Sequence, residues 1–153
     1  MSYELIQTVN VGAGGASSIL FENIPQDGID LVVVYQTGSG VTSNIGLAIN
    51  GSTSGISGKE IEAVNSYVGT NSRNSSWGGY QQVNAFNSGQ IYFSNYTSNG
   101  AKPHAIEVTT GSNSGTNYTY FAARNWNGPA AITSLQLSVT MQNNSTASLY
   151  KVY

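Results

Sequence analysis

The sequence predicts an all-β protein, an antiparallel β-sandwich of about ten strands occupying one domain, residues 1–153. Three observations predict it. Short runs of β-branched and aromatic residues recur between clusters of Gly, Asn, Ser and Pro, the pattern of strands separated by turns. No stretch of ten or more residues carries apolar side chains at a 3.6-residue period, so helices are not expected. Finally, strict alternation appears where it is easiest to read, late in the chain.

Taken in order, strands are expected near Tyr3–Val9, Ser17–Glu22, Asp30–Thr37, Ile45–Asn50, Glu60–Asn65, Gln90–Asn95, Ala105–Thr110, Tyr118–Arg124, Ile132–Thr140 and Ala147–Val152. The glycine-rich Gly12-Ala-Gly-Gly15 joins the first two. Ile24-Pro25-Gln26-Asp27-Gly28 is a turn, because proline presets φ and glycine accepts a positive one. Asp30-Leu-Val-Val-Val-Tyr35 is apolar throughout, as expected of a central strand buried on both faces. In the segment from Ile132 to Met141, Leu135, Leu137, Val139 and Met141 share one face, and Ser134, Gln136, Ser138 and Thr140 share the other. Leu149 extends the same logic near the end. Thr70 to Tyr80, rich in Asn, Ser and Gly, reads as a long loop, and loops of that length are usually functional or disordered. No repeat of 20–50 residues appears, so solenoids are excluded. A jelly roll is one arrangement that this strand number permits.

Composition narrows the function classes. Only 8% of residues are charged, against roughly 25% in an average domain. Ten tyrosines, four phenylalanines and two tryptophans, spaced at strand intervals, set the chain apart from disordered polar sequences. Five cations and a net charge of −2 give no basic groove for phosphates, so no nucleic-acid partner is expected. The longest apolar run, Leu31 to Tyr35, is too short to cross a bilayer, and no membrane partner is expected. The amino terminus lacks a basic stretch followed by an apolar one, so no signal peptide is expected. Without one, the triplets at Asn95, Asn117 and Asn144 are not read as glycosylated. With no cysteine, disulfides and thiolate metal sites are excluded.

Catalytic machinery is thin, and no catalytic residue, metal or cofactor is expected. His104, the single histidine, follows a proline and is expected at a surface turn. A lone histidine without cysteine or clustered carboxylates makes no zinc site. No serine lies in a Gly-x-Ser-x-Gly elbow, and no lysine follows the glycines of residues 12–15 as a phosphate cradle requires. Glu60 and Glu62 are two apart and face the same side of a strand, roughly 7 Å from each other. That is a glycosidase-like spacing, but both acids are expected on one solvated face. Asp27 and Asp30 bracket a turn, yet calcium needs six to eight oxygens.

The aromatics are more informative. Trp77, Tyr80 and Tyr67 lie in or beside the long Ser/Asn/Gly segment, and Trp126 sits at a strand end between Asn125 and Asn127. Rigid aromatics among adaptable Ser, Asn and Gly are the vocabulary of a contact surface. Three readings stay open here: plugs for the ends of the sandwich, protein–protein contacts, or a sugar platform.

Tyr3-Glu-Leu-Ile-Gln-Thr-Val9, Ser18-Ile-Leu-Phe21-Glu-Asn23-Ile-Pro25-Gln26 and Asp30-Leu-Val-Val-Val34 open a series. It continues with Gln90-Ile-Tyr92-Phe-Ser-Asn95-Tyr96, Ala130-Ala-Ile-Thr-Ser134-Leu-Gln-Leu137 and Ser145-Thr-Ala-Ser148-Leu-Tyr150. In order and across nearly the whole chain, it resembles small β-sandwich virion structural proteins of tailed phages, many from marine and cyanobacterial hosts. The resemblance implies a virion component assembled in a host cytoplasm and brings no catalytic residue with it. Without a shaft, coiled coil or anchoring module in this sequence, the expectation is a capsid decoration (cement) protein. Its expected partners are other copies of itself, as a homotrimer, and the major capsid protein or another virion protein. The alternative is a tail fibre, tail adaptor or glycan-binding receptor domain.

Overall fold

A computed structural model describes residues 2–111 and 117–153. Among them are twelve strands and no helix: β1 (Tyr3–Asn10), β2 (Ala16–Phe21), β3 (Asp30–Ser39), β4 (Ser43–Ile49), β5 (Ile56–Val64), β6 (Tyr67–Arg73), β7 (Trp77–Gln81), β8 (Ala85–Phe93), β9 (Lys102–Gly111), β10 (Asn117–Trp126), β11 (Leu135–Met141) and β12 (Thr146–Val152). They form an eight-stranded sheet, β1-β12-β3-β8-β9-β10-β5-β6, and a four-stranded sheet, β2-β11-β4-β7. Every neighbouring pair is antiparallel. The result is the expected β-sandwich.

The strand order has the jelly-roll form. β2-β11-β4-β7 packs over β3, β8 and β9, and the chain crosses from one sheet to the other at each of the steps β1–β2, β2–β3, β3–β4, β4–β5, β6–β7, β7–β8, β10–β11 and β11–β12. The β9–β10 hairpin is inserted between β8 and β5, and β12 and β1 extend the large sheet beyond β3. This wiring gives two layers with a shared core and short edges.

Between the layers pack Phe21, Leu31, Val33, Tyr35, Ile45, Leu47, Ile91, Phe93, Val108, Leu135, Leu137 and Leu149, all buried. The alternation read from the sequence is therefore the core pattern. β3 departs from it: Val32 is buried, but Val34 on the same outward row is 45% exposed. Among the described residues no layer covers the outer face of the large sheet, so the strand is buried on one face for most of its length.

The asparagine content is spent at turns. Asn23, Asn50, Asn65, Asn84, Asn95 and Asn144 all have positive φ, a region asparagine enters more easily than other non-glycine residues. At Asn50–Gly51 both residues are left-handed. The Asn50 side chain also accepts from the Thr133 and Ser134 amides at 2.8 and 3.1 Å, tying the β4 turn to the approach to β11.

The predicted loop from Thr70 to Tyr80 instead contains most of β6 and β7. Its composition hides two strands for different reasons. β6 is an edge strand whose polar side chains, Asn71 and Arg73, bind acids of β5. β7 carries Gly78 and Gly79 because large core side chains fill the space beside them: a Cβ on Gly78 would touch Leu47, Ile91 and Leu137 at 3.2–3.3 Å.

Candidate contact surfaces

The small sheet ends at β7, which lies over β8 and β9. The large sheet continues for three more strands, β10, β5 and β6, forming a flange. Its inner face carries charged and aromatic side chains where the rest of the sheet carries Leu, Ile and Val.

Glu60 is the centre of this polar cluster. Its residue is 2% exposed. One carboxylate oxygen accepts from Arg73 Nε, and the other from Arg124 Nη2 at 2.7 Å and the Tyr120 hydroxyl at 2.8 Å. The expectation of two acids on a solvated face is thus corrected. A carboxylate can be buried here because two guanidiniums and a phenol replace its water. Glu62 does share the Glu60 face but is only half-buried. It accepts from the Tyr118 hydroxyl at 2.7 Å and from Asn71 Nδ2 at 3.2 Å. The two acids, two residues apart on one strand, are held by separate donor sets.

Three of the four predicted contact aromatics gather on or beside the flange. Trp77, half-buried at the start of β7, has the Arg73 guanidinium 4.1 Å from its ring centroid. Tyr80 stacks on Tyr118 with centroids 4.3 Å apart and planes at 22°. Tyr67, at the start of β6, is 62% exposed. Trp126 takes the plug among the three open readings: it is 5% exposed, with Lys102 Nζ 5.2 Å from its ring. Tyr118 and Asn71 are not legible in the sequence as partners of Glu62, since only pairing across β10, β5 and β6 brings them to it.

His104 also departs from expectation. β9 starts at Lys102, so the residue after Pro103 points into the core rather than lying on a surface turn. It is 4% exposed and stacks on Phe93 with centroids 5.1 Å apart. Burial, with a smaller contribution from the Arg124 charge, pushes its pKa down to about 4. Asp27 binds Lys151 Nζ at 2.9–3.0 Å, while Asp30 accepts from the Tyr92 hydroxyl and the Asn95 amide. These two acids therefore serve separate structural partners. Among the described residues, no three His, Cys, Asp or Glu side chains are grouped to hold a metal.

The second surface is the outer face of the large sheet. Register places Val32, Tyr92, Ala105, Ala123 and Lys59 side by side across β3, β8, β9, β10 and β5. The next row is Val34, Gln90, Glu107, Phe121 and Ile61. Because Ala105 and Ala123 are small, a groove of about 390 Å³ opens over them, walled by Tyr92, Lys59, Phe121 and Ile61. Val34, Ile61 and Phe121 are each about half exposed, and Val68 of β6 is 68% exposed.

The chain matches no family model, and no curated protein or solved structure matches it.

Proposed function

We propose that this chain is a non-enzymatic structural protein of a phage virion, a capsid decoration protein that binds other copies of itself and the shell through the outer face of its eight-stranded sheet. The observation that carries the reading is the set of exposed apolar side chains on that face. Val34, Phe121, Ile61 and Val68 are exposed on one side of one sheet, and Phe121 and Ile61 wall a groove floored by alanines. Exposed apolar side chains gathered on one face support an interaction site, and interface cores are rich in aromatics.

The resemblance of the sequence to phage β-sandwich proteins supplies the virion setting, and the jelly-roll strand order agrees with it while leaving function open. Glu60, saturated by two guanidiniums and a phenol, is spoken for structurally, and His104 is packed against Phe93; neither is presented to a substrate. The assembly unit is a homotrimer, and the partner beyond it is the major capsid protein or another virion protein.

Native mass spectrometry of the isolated protein is expected to give a closed oligomer that Phe121→Asp with Ile61→Asp dissociates. Particles lacking the protein are expected to release DNA at a lower temperature. A stable monomer, with particles whose heat resistance does not depend on the protein, overturns the proposal.

A further inference from the structure

We propose that the inner face of the β10–β5–β6 flange is a binding site for a neutral saccharide, centred on Tyr67 and Glu62. The inference is independent of the decoration role, which uses the opposite face of the same sheet.

Tyr67 is the platform. Its side chain folds down over β6 at Gly69: a Cβ there would lie 2.7 Å from the tyrosine hydroxyl oxygen and 2.8 Å from Cε1. The glycine provides the room, and no positive φ is involved. The residue remains 62% exposed, so it is supported by the sheet yet open to solvent. Such a ring covers the apolar C–H face of a pyranose with little loss of side-chain freedom.

Glu62 supplies the polar half. It is paired with Gly69 in the β5–β6 register, one strand away from the glycine that supports the ring. Tyr118 and Asn71 each donate to one of its two oxygens. A carboxylate has about four lone-pair sites, so both oxygens keep accepting capacity for a vicinal pair of sugar hydroxyls. Tyr118 is itself braced by its stack with Tyr80, which holds the acceptor in place before any ligand arrives.

Charge decides the ligand class. Arg73 and Arg124 both pair with Glu60, whereas Glu62 accepts from the neutral donors Tyr118 and Asn71. An anionic ligand would meet the Glu62 carboxylate, while the two guanidiniums that could offset it are engaged by Glu60. A ligand with an apolar face and hydroxyl edges and no charge fits both halves.

The test uses the full chain, labelled with 15N and titrated separately with maltohexaose and with cellohexaose. One of the two is expected to shift the amide signals of Gly69 and Glu62. Tyr67→Ala is expected to weaken that binding at least about tenfold, and Gly69→Ala, which displaces the ring, to weaken it too. Phe121→Ala on the outer face is expected to leave it unchanged. Because Tyr67 is largely exposed, its variant is expected to keep the wild-type amide spectrum away from the flange. Absence of shifts with both sugars at millimolar concentration overturns the proposal, as does binding insensitive to Tyr67→Ala and Gly69→Ala. A trimer that stabilises capsids but binds neither sugar overturns this inference alone.

Discussion

Glu60 of β5 and Arg124 of β10 form an ion pair at 2.7 Å in which both side chains are 1% exposed. Removing one partner of a buried pair leaves the other charged and without water, at a cost of about 3–5 kcal/mol. Glu60→Ala is therefore expected to destabilise the protein by about that amount in urea denaturation. Glu60→Leu combined with Arg124→Leu is expected to recover much of the loss, because neither charge then remains stranded. A Glu60→Ala variant as stable as the wild type would show that the cluster contributes nothing.

The Tyr35 hydroxyl occupies the place that a Cβ on Gly79 would take, and the opposite side of the cross-strand neighbourhood is closed by Gly89, where a Cβ would also strike the ring. The same hydroxyl donates to the Gly78 carbonyl at 3.0 Å. Gly79 has φ +151°, a conformation side chains rarely adopt. Gly79→Ala is expected to lower stability by about 2–4 kcal/mol through overpacking and backbone strain. In a Tyr35→Phe background the same change is expected to cost less, since the clashing oxygen is gone. Equal losses in both backgrounds, measured by denaturation, would refute the contact as the cause.

His104 makes stability depend on pH with a defined sign. Its folded pKa is about 4 against an ordinary 6.5, so between those values the unfolded chain binds the extra proton. The stabilising effect is complete above about pH 6.5 and declines as pH falls towards 4. The difference corresponds to about 3 kcal/mol over that window. His104→Phe, which keeps an aromatic against Phe93, is expected to flatten the His104 share of that decline when unfolding free energy is followed from pH 7 to 4. An unchanged slope would exclude His104 as its source.

Lys102 ties together two loops. Its side chain is fully buried, and its ammonium donates to the carbonyls of Gly100, Gly128 and Ala130 at 2.6, 3.2 and 2.6 Å. Lys102→Met keeps the apolar stem but strands three acceptors, at a cost of about 2–4 kcal/mol. Amide exchange between Gly128 and Ile132 is expected to accelerate in this variant. Unchanged protection there would mean that water replaces the ammonium freely.

Much of the fold is legible in the sequence because it is encoded locally. A period of two places Leu135, Leu137, Val139 and Met141 on one side of a strand before any partner is known, and all four are core residues. Asparagine and glycine mark turns by their own tolerance of positive φ, independent of what the turn connects. Composition likewise separates this chain from basic, disordered and disulfide-built classes.

What tertiary structure decided is which face is covered, and by what. Glu60 and Glu62 have the same local pattern, but Arg73 arrives on the next strand and Arg124 on one far along the chain, and they close around only one of the two. The segment from Thr70 to Tyr80 has a loop's composition and becomes strand because β5 and β4 offer it edges to pair with. Trp126 and His104 sit beside turn-forming residues, yet the end of the sandwich and the Phe93 ring take them inside. Alternation names two faces of a strand; only the packing of the second sheet, and where that sheet stops, assigns one to the core, one to solvent and the inner face of the flange to polar chemistry.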